Sequence, residues 1–282
     1  MKLLKILISI VLLIWNANTT RTFAQRATKN DIDSLKHRYS PIINGVWVAS
    51  DYVNSIKKTK SPIKSAHTLD GYAALHIKTN NLLDSIEVGA SLNNHEGTLF
   101  TLFFIKGCCG KGLKTNIPDY DDEKNFYEIG YEQENGVIEL ILYHYDKNSL
   151  LLDSKKFTKI ANRPQDEDLD WGIQVITNKS ILDGKYIVQD KYNNKTLITF
   201  NSNGIVVGHP QFKTFYIFTD YLGAYKPTIE QICFNIDSKK EKTYGFKIKG
   251  DTFYLYDLTG SEENRNLKAG KLAYILTKQP TR

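Results

Sequence analysis

Two adjacent cysteines, Cys108 and Cys109, stand out because glycines and lysines flank them in the segment Lys106–Gly112. Such glycines can present backbone N–H groups to an anion, but the spacing departs from that of a phosphate-binding loop. Neighbouring α-carbons lie about 3.8 Å apart and a relaxed disulfide needs about 5.5–6 Å, so the pair should not bridge internally. Cys108 or Cys109 could pair with Cys233, and we favour a structural bridge, or plain burial, over redox or metal chemistry.

Metal and hydrolytic chemistry find little support in the other motifs. His95-Glu96 could begin a zinc-binding helix, but Leu99 stands where the second histidine should be. Acidic runs at 119–123 and 166–170 could hold calcium, but both lack the turn glycine of a standard calcium loop. No Gly-x-Ser-x-Gly segment supplies a serine nucleophile. We therefore expect no catalytic residue, metal ion or cofactor.

Aromatic side chains are the remaining candidates for ligand binding. Tyr143 and Tyr145 share one face of a predicted strand at 137–145, and Tyr216 and Phe218 share one face of another at 212–218. Such faces can line a cavity, although packed core is their default interpretation. These four residues are the candidates for ligand binding.

Alternating apolar residues predict the strands that must position these side chains. Ile86, Val88 and Ala90 alternate with polar or small residues, which is typical of a strand with one buried face. Dipeptides that suit tight hairpin turns separate such runs, at Asn135-Gly136, Asn203-Gly204 and Gly250-Asp251. Long amphipathic helices are not evident. The predicted fold class is all-β and antiparallel.

Two parts of the chain resemble each other. Residues 43–51 align with 182–190, and Gly130–Ile160 aligns without a gap with Gly245–Ile275. Matching starts, turns and ends in the same order indicate an internal duplication. The surplus residues of the first copy fit two long loops, Val53–Leu69 and Lys106–Lys124.

This comparison divides the chain into five predicted parts. They are a signal peptide at 1–24, a polar leader at 25–42 with room for one helical turn, a first β-barrel-like domain at 43–161, a short acidic linker at 162–172 and a second β-barrel-like domain at 173–282. Seven or eight candidate strands in each β unit are enough to close a barrel. We expect two consecutive antiparallel barrels or sandwiches.

Short motifs in both copies suggest a family. Gly45-Val46-Trp47 resembles the Gly-x-Trp signature of lipocalins, which are calycin-type β-barrel proteins, and Thr219-Asp220-Tyr221 resembles their Thr-Asp-Tyr signature. The two motifs lie too far apart for one lipocalin barrel. The resemblance therefore implies a lipocalin-like architecture in tandem, in which Trp47 and the matching Tyr186 act as structural plugs at the barrel bottoms.

The first residues have the layout of an export signal. Lys2 and Lys5 precede an apolar run at 6–15, and Thr22-Phe23-Ala24 suits cleavage after Ala24. The other interpretation is a retained membrane anchor. A run of this length would span only about half of a ~30 Å hydrocarbon core. We expect a periplasmic or extracellular protein whose mature chain has no transmembrane segment.

Charge also limits the classes of partner. Cleavage removes three of the 37 basic residues, which leaves 34 against 31 acidic ones and lowers the net charge from +6 to +3. Lysines cluster at 57–64 and 239–242, where solvated loops are favoured over a polyanion site. Nothing here points to nucleic acid.

The sequence is compatible with three functions. The leading hypothesis is an exported, non-enzymatic binding protein for a small apolar or amphipathic ligand or for an envelope protein partner. The alternative is a periplasmic inhibitor or immunity-type interaction protein that acts through the two long loops. The third is a hydrolase acting on an envelope or carbohydrate substrate.

Overall fold

The computed structural model describes residues 27–79, 83–163, 168–221, 227–260 and 267–280. The predicted signal peptide lies outside these residues. The described chain begins with helix α1 (Lys29–Ile43). Thr28 caps this helix, because its hydroxyl accepts a hydrogen bond from the Asp31 amide while the Asp31 carboxylate accepts one from the Thr28 amide.

Helix α1 is longer than the single turn expected in the polar leader. Its apolar residues Ile32, Leu35, Tyr39 and Ile43 recur at helical spacing and pack on the barrel core. The surrounding charges hide this pattern in the sequence. Residues 29–42 of the leader are therefore part of the folded structure.

Eight antiparallel strands follow and close into a barrel. These strands confirm the predicted all-β class. Strands β1 to β8 are Gly45–Ala49, Tyr72–Ile77, Ser85–Leu92, Glu96–Lys106, Gly112–Thr115, Phe126–Glu134, Val137–Tyr145 and Leu151–Ala161. Each strand pairs with the next along the chain, and β1 pairs with β8 to complete the closure.

The barrel forms because alternate side chains of its strands are apolar and face inward. Ile86, Val88 and Ala90 are buried as the alternation predicts. The fully buried side chains of Trp47, Phe104 and Phe157 fill the interior. At the β6–β7 turn, Asn135 and Gly136 have φ values of 51° and 79°, which confirms the predicted tight hairpin.

Helices occupy the segment that was predicted as a long loop at Val53–Leu69, so that prediction is wrong. Helix α2 (Ser50–Thr59), helix α3 (Pro62–Ser65) and a 3₁₀ turn (Ala66–Leu69) connect β1 to β2. The buried faces of Tyr52, Val53 and Ile56 hold α2 against the core. In the other predicted loop, Lys106–Lys124, the short strand β5 begins at Gly112.

A second antiparallel sheet of eight strands follows the barrel. Strands β9 to β16 are Gly184–Asp190, Lys195–Phe200, Val206–Val207, Phe215–Ile217, Glu230–Phe234, Lys242–Lys249, Thr252–Thr259 and Lys268–Lys278. Their order in the sheet is β11-β10-β9-β16-β15-β14-β13-β12. The two outermost strands meet through a bridge between Ile205 and Thr214.

Helix α4 (Trp171–Ile181) lies between the two sheets. It begins inside the segment predicted as a linker at 162–172. The Tyr52 hydroxyl on α2 lies 2.6 Å from the Thr177 hydroxyl on α4. One continuous cluster of buried apolar side chains extends from the barrel through Ile173 and Ile176 into the second sheet.

Candidate functional site

A groove with an open cavity of about 700 Å³ lies between the α2–α3 segment and the second sheet. We call it the Glu230 groove, and the side chains that define it are Lys60, Ser61, Lys64, Glu230, Phe246 and Lys247. The barrel unit contributes the first three residues and the second sheet the others. Both halves of the chain are therefore needed to form it.

Glu230 is the first residue of β13, and its carboxylate connects the sheet to α3. It accepts hydrogen bonds from the Ser61 hydroxyl and from the Ile63 amide, the latter at 3.2 Å to Oε2. Burial raises the pKa of Glu230 to about 7, against the opposing effects of Ser61, Ile63 and Lys64. Glu230 can therefore exchange a proton near neutral pH.

Three lysines, Lys60, Lys64 and Lys247, line the same groove. Lys60 ends α2 in the left-handed conformation, with a φ of 53°, which turns the chain into Ser61. Burial, and then Lys278 and Lys57, lower the pKa of the Lys60 ammonium. Within the described part of the chain, Lys60, Lys247 and Lys278 form no ion pair with a carboxylate. The groove therefore has positive charge that the described protein does not neutralise.

The floor of the groove is apolar. Ile229 and Phe246 are almost fully buried, and Phe246 stacks on Phe253 with ring centroids 4.6 Å apart. A smaller cavity of about 140 Å³ adjoins it at Lys60 and reaches Tyr186 and Lys278. An apolar floor beneath lysines suits a molecule with an apolar body and an anionic head.

The four aromatic candidates from the sequence lie in two other places. Tyr216 and Phe218 pack edge to face, with centroids 5.5 Å apart, at the end of the second sheet. Burial, followed by the charges of Asp170 and Asp168, raises the pKa of Tyr216 to about 12. The groove does not include either pair, and ligand binding by these residues stays a prediction.

Tyr143 and Tyr145 lie with Ile141 in a small apolar cluster separate from the main core. Cys109 and Phe126 pack against this cluster. The sequence treated the cysteines and these tyrosines as separate candidates, and the structure brings Cys109 next to both tyrosines.

All three cysteines are free thiols in the structure. Cys233 is buried in β13, opposite Tyr216 and Thr243 in the sheet. Burial, together with the adjacent Cys109 and Glu128, raises the pKa of the Cys108 thiol to about 11, while Ser149 opposes the shift. The pairing of Cys108 or Cys109 with Cys233 stays a prediction.

In the acidic run at 119–123, the first carboxylate, that of Asp119, is hydrogen-bonded within the protein. Asp119 accepts hydrogen bonds from Asn125 Nδ2 and the Asp121 amide, both at 2.8 Å, and lies 2.8 Å from His144 Nε2. These contacts, Asn125 first, lower the pKa of Asp119 to about 2. Its role in the structure is to fix a loop to β7.

Residues of the two motifs that resemble the lipocalin signatures are packed or hydrogen-bonded inside the fold. Trp47 is fully buried beneath Lys159, whose Nζ lies 4.9 Å from the ring centroid, and Lys278 lies 5.8 Å from the Tyr186 ring centroid. The Thr219 hydroxyl accepts hydrogen bonds from Asn94 and Gln174, at 3.1 and 3.2 Å. This threonine therefore joins a barrel hairpin and α4 to the second sheet.

Comparison with known proteins identifies no family for this chain: no family model matches it, and no curated protein or solved structure is significantly similar to it. None of the helices that the structure describes is long and apolar enough to cross a bilayer.

Sequence reasoning missed Glu230 and placed two lysines of the groove, Lys60 and Lys64, in a solvated loop. Glu230 precedes the apolar run Ile232–Phe234, so an acidic residue entering a buried strand was the available signal. The lysine cluster at 57–64 was visible, but its position beside the second sheet depends on contacts distant in sequence.

Proposed function

We propose that this chain is an exported, non-enzymatic binding protein that takes up a small amphipathic ligand with an anionic head in the Glu230 groove. The observation that carries the proposal is the set of lysines without ion-pair partners among the described residues, above an apolar floor. A lipocalin-like tandem architecture is part of the proposal. Its support is the closed barrel, the second sheet of eight strands and the two lysine-capped rings.

The groove is a better place for the ligand than the barrel interior. Large side chains, including Trp47 and Phe157, already fill the barrel. In the groove, the apolar part of the ligand would cover the partly exposed Ile63 and Ile248, while its anionic head would approach Lys60 and Lys247. Glu230 would remain protonated beside an anion, because a second negative charge there disfavours its ionisation.

Binding can be tested with a fluorescent long-chain fatty acid. The substitution Lys60→Asn removes the charge but keeps a residue that tolerates the left-handed conformation. We expect it to raise the dissociation constant about five- to tenfold, which corresponds to losing one charge contact. The exposed Lys58 on the same helix does not line the groove, so Lys58→Asn serves as the matched control.

Fluorescence titration of the wild type and both variants distinguishes the outcomes. Equal affinity of the Lys60 and Lys58 variants, or no saturable binding by the wild type, would reject the groove as the ligand site. Native mass spectrometry of gently extracted protein supplies a second measurement, because a bound amphipathic molecule should add a defined mass.

Export is tested separately by the N-terminus of the protein recovered outside the cytoplasm. Cleavage after Ala24 predicts that the chain begins at Gln25. Recovery of a chain that still carries Lys2 and Lys5 would argue against a cleaved signal.

A protein partner is the second candidate, and an exposed apolar run favours it. Leu150, Leu151 and Leu152 are 60%, 44% and 52% exposed at the β7–β8 turn. The neighbouring Ser149 contacts both Cys108 and Cys109 of the Lys106–Lys124 segment. Exposed apolar patches of this kind often mark interaction sites. Pull-down of one stoichiometric partner that is lost on Leu150→Ser with Leu152→Ser would support this function, and unchanged capture would reject this surface.

A further inference from the structure

The turn between β4 and β5 covers a buried carboxylate. Glu128, on β6, is only 1% exposed, and neither of its carboxylate oxygens has a hydrogen-bond partner among the described residues. A buried polar group without a hydrogen-bond partner is costly, so its surroundings should contain a compensating group.

Gly107 allows the turn to approach this carboxylate. A Cβ at position 107 would lie 2.0 Å from Glu128 Cδ and 2.1 Å from Oε2. No real Cβ tolerates such distances, so any other residue here would displace the turn or the carboxylate. The Gly107 backbone therefore brings the next two residues next to Glu128.

Those two residues are the cysteines. Their Sγ atoms lie 3.2 Å apart, and both sulfurs lie within 4.8 Å of one another and of a Glu128 carboxylate oxygen. Three potential ligand atoms thus converge from one turn and one strand. Cys108 is exposed and Cys109 half-buried, which leaves solvent access on the Cys108 side.

We propose that Cys108, Cys109 and Glu128 bind one divalent cation of the zinc type. Zinc accepts thiolate and carboxylate ligands together, at about 2.3 Å and 2.0–2.2 Å, in a tetrahedral arrangement. Ligand atoms that share such an ion lie roughly 3–4 Å apart, so small rotations of the two thiol side chains suffice. Two thiols disfavour calcium and magnesium, which prefer oxygen ligands.

The remaining features of the site are compatible with such an ion. The solvent side leaves the fourth position for a water molecule. Two thiolates and one carboxylate around a divalent ion sum to one net negative charge, and Lys106 and Lys111 lie on the same turn. Binding releases one proton from each thiol, because zinc coordinates the thiolate form.

A titration with Co²⁺ under anaerobic, reducing conditions tests the site. Co²⁺ replaces zinc in tetrahedral sites and reports thiolate ligation by its near-ultraviolet charge-transfer band. We expect one equivalent to bind with this band, and added Zn²⁺ to remove it. Cys108→Ser and Cys109→Ser should each weaken binding at least about tenfold, whereas the matched control Cys233→Ser should bind like the wild type.

Glu128→Gln separates the carboxylate from the thiols. It keeps the shape of the side chain and removes its charge, so the thiolate band should remain while the dissociation constant rises about tenfold. Circular dichroism of every variant shows whether the fold is intact. A folded variant with altered Co²⁺ affinity identifies a ligand.

Three results would overturn the proposal. The first is a folded wild type that binds Co²⁺ without a thiolate band. The second is an unchanged titration in the double variant Cys108→Ser with Cys109→Ser. The third is a stable disulfide that includes Cys108 or Cys109 in the protein isolated without reductant, detected as a loss of two hydrogens in peptide mass mapping.

Discussion

Glu230 has a proton affinity that depends on folding. Its ordinary pKa is 4.5, and burial raises the folded-state pKa to about 7. Between these two values the folded protein holds a proton that the unfolded chain has released. The stability that this residue contributes is therefore fully present below about pH 4.5 and is lost as the pH rises through about 7.

Glu230→Gln should remove this pH dependence. Because Glu230 releases its proton as the pH rises, the free energy of unfolding of the wild type should fall by about 2 kcal/mol between pH 5 and pH 8. The glutamine variant has no proton to release at this position. Urea unfolding at the two pH values measures the difference. The exposed Glu134 in β6 provides the control substitution Glu134→Gln, which should retain the wild-type pH profile. Parallel pH profiles for Glu230→Gln and the wild type would show that Glu230 does not titrate in this range.

Residue types predicted only part of the candidate sites. The cysteine pair was identified from the local sequence, because two adjacent cysteines between glycines are unusual. Its carboxylate partner was not, because Glu128 lies on another strand and reads as an ordinary polar position. Tyr143 and Tyr145 were named for a shared strand face, but their closeness to Cys109 follows from the Lys106–Gly112 turn folding over that face.

At the scale of elements, α4 determines how the two sheets meet. Gly172, in its first turn, lies against the outer face of β1. A Cβ at this position would lie 2.6 Å from Val46 Cγ1 and 3.0 Å from Val48 Cγ2. The helix can therefore approach the barrel closely only with glycine here.

Gly172→Ala should destabilise the protein by about 1–3 kcal/mol, because the added methyl group overpacks this contact. The higher helix propensity of alanine offsets at most about 1 kcal/mol of that cost. Thermal unfolding provides the measurement. Lys179→Ala, at an exposed position of the same helix, should change the midpoint little, and equal midpoints for both variants would exclude close packing at Gly172.

Strands were predicted well from sequence, and helices were not. The hairpin dipeptides are local signals, and Asn135-Gly136 and Gly250-Asp251 do join paired strands. Helix α2 has apolar residues Tyr52, Val53 and Ile56 among lysines and polar residues, so its buried face becomes evident only with the surface it covers. Local turn chemistry can be read from the chain, whereas burial against a distant sheet cannot.

At the scale of the molecule, the two sheets share one apolar core, and polar contacts reinforce their junction. Thr219 is 1% exposed and accepts hydrogen bonds from two buried amides, those of Asn94 and Gln174. Because these groups come from the barrel, α4 and the second sheet, the junction should break only when the whole chain unfolds.

Thr219→Val should lower the free energy of unfolding by about 2 kcal/mol, because it leaves buried amide donors without an acceptor. Urea denaturation followed by fluorescence and by circular dichroism should still give one coincident transition. Thr277→Val, at an exposed position of β16, is the control for the β-branched substitution. Two separate transitions in the wild type would show that the sheets unfold independently.

Corresponding features at the start of each sheet support the proposed duplication. Gly45 and Gly184 have φ values of 134° and 131°, and each is the first residue of a strand whose buried ring lies beneath a lysine. The rings differ, Trp47 in one and Tyr186 in the other. The duplication proposed from the sequence would account for this correspondence.

The meeting of the outermost strands of the second sheet has a consequence for association with other chains. Strands β11 and β12 have only two and three residues, and Val206 and Phe215 donate backbone hydrogen bonds across the seam, at 2.8 and 2.7 Å. Free strand edges offer unpaired backbone groups that recruit other chains into aggregates. Here each edge covers the other. The protection depends on few bonds, so transient opening of this seam is the event that would expose the protein to edge-to-edge aggregation.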